Sequence, residues 1–196
     1  TGSNTTAQCT IPAVYNAATQ DTSCQITLPA NPYTLTNWTF NGWVNGGSNS
    51  TTTTTSGTAS GNKLTISSNV NIIATWKKSV TVKLTFDKNG GSANTTSNGV
   101  TTTLYNGNTS LSATLTFTAP ACTTYSGWTC VGYNTSSSST TSSFDVGSEK
   151  DFSVSGTVGI SETSYTKASG YYHIWKKTST ATFYYYNGSS QSSKDA

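Results

Sequence analysis

Apolar and polar positions alternate in short runs along most of this chain. Thr, Val, Ile and aromatic residues fill the runs, and clusters of Gly, Asn and Ser separate them. A period of two turns one side of a strand to a core and the other to water. The pattern predicts strands over residues 34–44, 70–77, 80–87, 102–105, 112–117, 152–155, 171–176 and 180–186. Asn-Gly pairs at 41–42, 45–46, 89–90, 106–107 and 187–188 mark turns, because both residue types tolerate positive φ. No segment combines a helical period with capping residues. The expected fold class is mostly β.

Self-comparison reveals an internal repeat. Trp38-Thr39-Phe40-Asn41-Gly42-Trp43 matches Trp128-Thr129-Cys130-Val131-Gly132-Tyr133 at an offset of 90, and Trp76-Lys77-Lys78 matches Trp175-Lys176-Lys177 at an offset of 99. Leu28-Pro29-Ala30 echoes Ala119-Pro120-Ala121. Simple alternation would put Trp38, Phe40 and Gly42 on one face and Trp128, Cys130 and Gly132 on its equivalent. After each Trp-Lys-Lys a new strand begins: Thr85-Phe86-Asp87-Lys88-Asn89-Gly90 in one case, Thr182-Phe183-Tyr184-Tyr185-Tyr186-Asn187-Gly188 in the other. The expected organisation is a first β module over residues 1–78 with an atypical N-terminal strand, a second over 79–177, and residues 178–196 as an extra strand. That strand is either the start of a third repeat or a donor to another chain. The modules themselves are β-grasp-like or β-sandwich-like.

These residues resemble the Listeria–Bacteroides repeat, the internalin-type B repeat, whose pattern runs through T-F-D-x-N-G-G, L-P, G-Y-T-F-x-G-W and L-x-A-x-W. It is met here by Thr85–Gly91, by Trp38–Trp43 and by Ile73-Ala74-Thr75-Trp76. The resemblance covers most of residues 24–188. It implies small β-grasp-like modules strung along bacterial surface and secreted proteins, with adhesion or spacer roles in place of catalysis. A longer second unit, Thr/Ser tracts and local cysteine pairs depart from the pattern.

Composition narrows the function classes. The 196 residues are 33% hydrophobic and 9% charged, and Thr, Ser and Asn make up almost half of them. Five Trp, eleven Tyr and six Phe therefore have to supply much of the burial. All ten cationic side chains are Lys, so the bidentate guanidinium fork for phosphate or guanine is missing. A net charge of +3 spread along the chain makes a poor nucleic-acid footprint. No apolar run is long enough for a membrane span, and no leader segment is read.

Cys9, Cys24, Cys122 and Cys130 form two close pairs without metal-site spacing, and His173 is far from them in sequence. Disulfides Cys9–Cys24 and Cys122–Cys130 are the simplest connectivity and imply an extracellular or cell-surface setting. Buried free thiols are the alternative.

Other chemistry is sparse. His173 has no nucleophile motif beside it and reads as a structural or surface histidine. Asp145, Glu149, Asp151 and Glu162 are close enough in sequence for a glycosidase pair, yet nothing singles out two of them. No catalytic residue, metal ligand or cofactor is assigned. Trp38, Trp43, Trp76, Trp128 and Trp175 recur at repeat positions and are expected in the core. Phe183, Tyr184, Tyr185 and Tyr186 must expose at least one ring and form the candidate interface strand. The functional expectation is a non-enzymatic stalk, fibre or adhesin subunit, polymerising head to tail as residues 178–190 add a strand to the next chain. The rival expectation is a module that binds carbohydrate or a host protein through exposed aromatics.

Overall fold

The structure is a computed structural model, which describes residues 8–10, 23–30, 34–45, 59–60, 63–67, 69–186 and 191–194. The fold is mostly β, with no helix among the described residues. Thirteen strands follow one another: β1 (Cys24–Thr27), β2 (Thr39–Asn45), β3 (Ala59–Ser60), β4 (Lys63–Ile66), β5 (Ile72–Asp87), β6 (Thr95–Thr96), β7 (Val100–Tyr105), β8 (Ser110–Thr118), β9 (Thr129–Asn134), β10 (Glu149–Thr157), β11 (Ser164–Lys176), β12 (Phe183–Tyr186) and β13 (Gln191–Lys194).

The main sheet has the order β2-β5-β11-β9, with β6 and β7 also paired to β5. Thr81 donates its N–H to Thr163 O, and Thr85 Oγ1 donates to Lys167 O, at the same sequence offset of 82 residues. A constant offset means that β5 and β11 run parallel. The partners β2, β7 and β9 are antiparallel. Smaller sheets join β1-β4-β3, β8-β10 and β12-β13.

The runs at 70–77 and 80–87 turn out to be one sixteen-residue strand, β5. The expected break at Lys78-Ser79 does not occur because Lys78 continues the buried face. Lys78, Val80, Val82, Leu84 and Phe86 all point inward. The lysine stem packs like an aliphatic chain, and its ammonium is satisfied by carbonyls.

By contact density the chain forms two units. One comprises Thr1–Val82, Gly99–Leu115 and Ser153–Tyr165; the other comprises Lys83–Asn98, Thr116–Phe152 and Thr166–Ala196. In the first, Trp38, Val44, Leu64, Val80, Val82, Leu104, Leu111, Val154 and Val158 are buried. The second is held by rings: Phe86 lies 4.8 Å from Tyr133, Phe117 meets Phe152 edge-on at 5.9 Å, and Phe144 meets Tyr171 at 4.9 Å. Such pairs add roughly 0.5–1.5 kcal/mol each to simple burial, which suits a chain short of aliphatic residues.

Candidate functional site

Two strand pairs share one register. In the first, Thr39 faces Lys77, Phe40 faces Trp76, Gly42 faces Thr75 and Trp43 faces Ala74. In the second, Thr129 faces Lys176, Cys130 faces Trp175, Gly132 faces Ile174 and Tyr133 faces His173. Each pair slips by one residue at the same place, at Asn41 and at Val131, and the glycine that follows has φ of 111° at Gly42 and 129° at Gly132. A bulge of this kind reverses the inward face beyond it. The simple alternation expected for Trp38, Phe40 and Gly42 is therefore corrected.

The turn before each bulge is also shared. Trp38 donates its N–H to Leu35 O at 2.9 Å, and Trp128 donates to Tyr125 O at 2.9 Å. Asn37 (φ 63°) and Gly127 (φ 75°) hold the same left-handed position. The two tryptophans, however, go opposite ways. Trp38 is 6% exposed; its Nε1 donates to Ile160 O at 2.7 Å, and the Lys78 ammonium lies 5.0 Å from its ring centroid. The same ammonium donates to Gly159 O at 2.8 Å and Ile160 O at 3.2 Å. Burial lowers the pKa of Lys78, and the Glu162 carboxylate opposes that shift. Trp128 is 40% exposed and lies parallel to Tyr125, itself 36% exposed, with centroids 5.4 Å apart.

Of the five tryptophans expected in the core, Trp38 alone is buried, and the expectation fails outright at Trp128. Among the described residues no carbonyl is placed to receive its indole as Ile160 O receives that of Trp38, and a tyrosine stands where the first turn has Leu35, offering a ring to stack on. Trp43, Trp76 and Trp175 are half-buried. Phe40 packs edge-on against Trp43 at 5.5 Å and Trp76 at 6.0 Å, and Trp175 Nε1 donates to Lys88 O at 3.1 Å.

The loop that carries Tyr125 and Trp128 is clamped. Disulfide Cys122–Cys130 closes it across a sequence separation of 8. Ser92 donates its N–H to Thr124 O at 2.9 Å, and Thr123 Oγ1 donates to Ala93 O at 2.9 Å. Trp175 meets the Tyr125 ring edge-on at 5.6 Å, and Gly90 leaves room for it: a Cβ there would stand 3.3 Å from the ring. The result is a rigid pair of exposed rings. Tyr125 was not legible as a site residue, although aligning the two turns three residues further upstream sets it against Leu35.

The remaining candidates separate. Cys9–Cys24 is the second disulfide, so no cysteine is free. His173 is fully buried; its Nε2 lies 2.9 Å from Thr95 Oγ1, and Nδ1 has no hydrogen-bond partner among the described residues. Burial lowers its pKa, against an opposing pull from Asp87. Among the four close carboxylates, Asp151 accepts from Thr116 Oγ1 at 2.6 Å, Asp145 from Ser142 Oγ at 3.0 Å and Glu162 from the Gly159 N–H at 2.8 Å. Among the described residues no three His, Cys, Asp or Glu side chains group to hold a metal ion, and no helix is long and apolar enough to cross a membrane.

β12 pairs with β13 as a hairpin, with Phe183 opposite Lys194 and Tyr186 opposite Gln191. Phe183 is 56% and Tyr184 is 61% exposed, whereas the side chains of Tyr185 and Tyr186 lie outside the described residues. Searches of family models, curated proteins and solved structures found no match to this chain.

Proposed function

We propose that the protein is a non-enzymatic structural and adhesion protein of a bacterial cell surface, a stalk or fibre subunit built from repeated β modules. One observation carries the reading. Phe86, in the T-F strand that opens the second module, is fully buried, while Phe183 and Tyr184, in the matching T-F strand β12, are largely exposed. β12 thus carries core-type rings outside a core, at the place where a further module would begin. β13 occupies one edge of β12, and the reading assigns the other to the next subunit, whose unpaired N–H and C=O groups it satisfies. Head-to-tail addition is heterologous and does not close, so the product is a filament.

Two further features support it. Both strand pairs keep one register and one bulge, as repeated modules would. Two disulfides suit an oxidising, extracellular setting.

Light scattering with negative-stain microscopy tests the proposal. The full chain is expected to form filaments. Phe183→Ser with Tyr184→Ser, or removal of residues 178–196, is expected to leave monomers. A monomeric full chain, or filaments that persist in the double variant, would overturn it.

A further inference from the structure

The clamped ring pair Tyr125–Trp128 answers to a different partner. From its rigidity and its charged surroundings we infer that it is a binding site for an acidic glycan, a chain of pyranose rings bearing carboxylates.

Exposing two large rings forfeits burial that a thin core needs, and the first unit shows that the same turn can bury its tryptophan. In the second unit the rings are instead held by a disulfide, by hydrogen bonds from the 92–93 segment and by the edge of Trp175. Trp128 spends one face on Tyr125, and its other face, fixed before binding, suits a pyranose ring, whose axial C–H groups lie flat on an aromatic surface. Little ordering entropy remains to be lost on binding.

The charges choose among glycans. Lys177 Nζ stands 4.0 Å from the position a Cβ would take at Gly127, so an ammonium overhangs the turn between the two rings. Lys176 lies opposite Thr129 in the adjoining strand pair, and the Lys88 carbonyl caps the Trp175 indole. All three lysines are exposed. Lysine is a compact point charge that reads a carboxylate without demanding a bidentate geometry. The Lys177 ammonium beside the turn therefore favours a uronic acid over a neutral sugar.

Isothermal titration calorimetry on the full chain tests the inference with two probes: hyaluronan hexasaccharide, which alternates glucuronate with N-acetylglucosamine, and chitohexaose, its neutral counterpart. Hyaluronan is expected to bind at micromolar to millimolar levels and more weakly as salt rises, with chitohexaose much weaker. Trp128→Ala is expected to raise Kd by about tenfold or more, through loss of the stacking face. Lys177→Gln, which leaves the rings in place, is expected to raise it severalfold for hyaluronan alone. No heat with hyaluronan, equal binding of the two sugars, or an unchanged Kd in Lys177→Gln would each overturn it. The filament assay reads β12 and is independent of this one.

Discussion

Gly132→Ala should be among the most damaging single-methyl changes available in this protein. Gly132 sits at the bulge of β9 with φ of 129°, where an L side chain is strained by about 1–3 kcal/mol. A Cβ there would stand 2.4 Å from Phe144 O, 2.8 Å from Ser142 Cβ and 3.2 Å from Asp145 Cα. The obstacle is mostly backbone and cannot rotate away. Phe144 O accepts the Tyr133 N–H at 2.9 Å, so moving it costs that hydrogen bond, about 0.5–1.5 kcal/mol. It also drags the Phe144 ring off Tyr133, stacked at 5.2 Å, and off Tyr171. The strain and the lost hydrogen bond together come to about 1.5–4.5 kcal/mol before the ring contacts are counted, or a fall in Tm of roughly 3–18 °C for a chain this size. Gly147 is the control: its φ is 80°, but nothing lies within 4 Å of its Cβ position. Gly147→Ala should cost only about 1–2 kcal/mol, from the backbone term alone. Differential scanning calorimetry under non-oxidising but non-reducing buffer compares the two. Equal losses in both variants would refute the steric account of the bulge.

Three more outcomes are expected. His173 is buried with its pKa lowered, so below the ordinary value of 6.5 the unfolded chain takes up a proton that the folded chain resists. Stability should therefore fall as pH drops from about 7 towards 5, and His173→Phe should flatten that slope in thermal melts; an unchanged slope counts against the assignment. Trp38→Phe loses the bond to Ile160 O and the Lys78 contact, at a cost of about 2–3 kcal/mol, while Trp128→Phe should shift stability by less than about 0.5 kcal/mol; denaturant titrations that rank them the other way would reject the contrast between the two turns. Replacing Cys122 and Cys130 together by Ser frees the clamped loop and should cost about 2–3 kcal/mol, with faster amide exchange confined to residues 122–130; protection unaltered there would mean the hydrogen bonds to the 92–93 segment suffice.

What could be read beforehand was the repeat. Two short aromatic matches, at offsets of 90 and 99, marked residues 38–43 and 128–133, and 76–78 and 175–177, as equivalent, and the mostly-β class followed from alternation alone. That each first segment pairs with its second, Thr39 with Lys77 and Thr129 with Lys176, is shown only by the structure. The bulges at Asn41 and Val131 were hidden because a strict period of two has no place for an extra residue. Lys78 was hidden for another reason: hydropathy treats lysine as a surface residue, and nothing local tells that Gly159 and Ile160 offer their carbonyls from far along the chain. The same distance explains Trp128. The shared Trp-Thr step and the glycine four residues on made it look like Trp38. What separates the two is the Ile160 carbonyl that only Trp38 reaches among the described residues, and the added Tyr125 ring. The segments β1 and β4 were missed because four-residue strands carry too little pattern, and β13 because Gln-Ser-Ser-Lys has no apolar alternation at all.

The turn shared by residues 35–38 and 125–128 has a practical consequence. One backbone hydrogen bond and one left-handed residue hold its shape whether the tryptophan goes in or out. The display of a ring is thus separated from the folding of the strand behind it. A library randomised at Tyr125, Ser126 and Trp128, with Gly127 and the two cysteines kept, would vary what the loop presents while leaving the β9–β11 register alone. The same turn that packs a core in one unit could serve, in the other, as a graftable loop for engineered recognition.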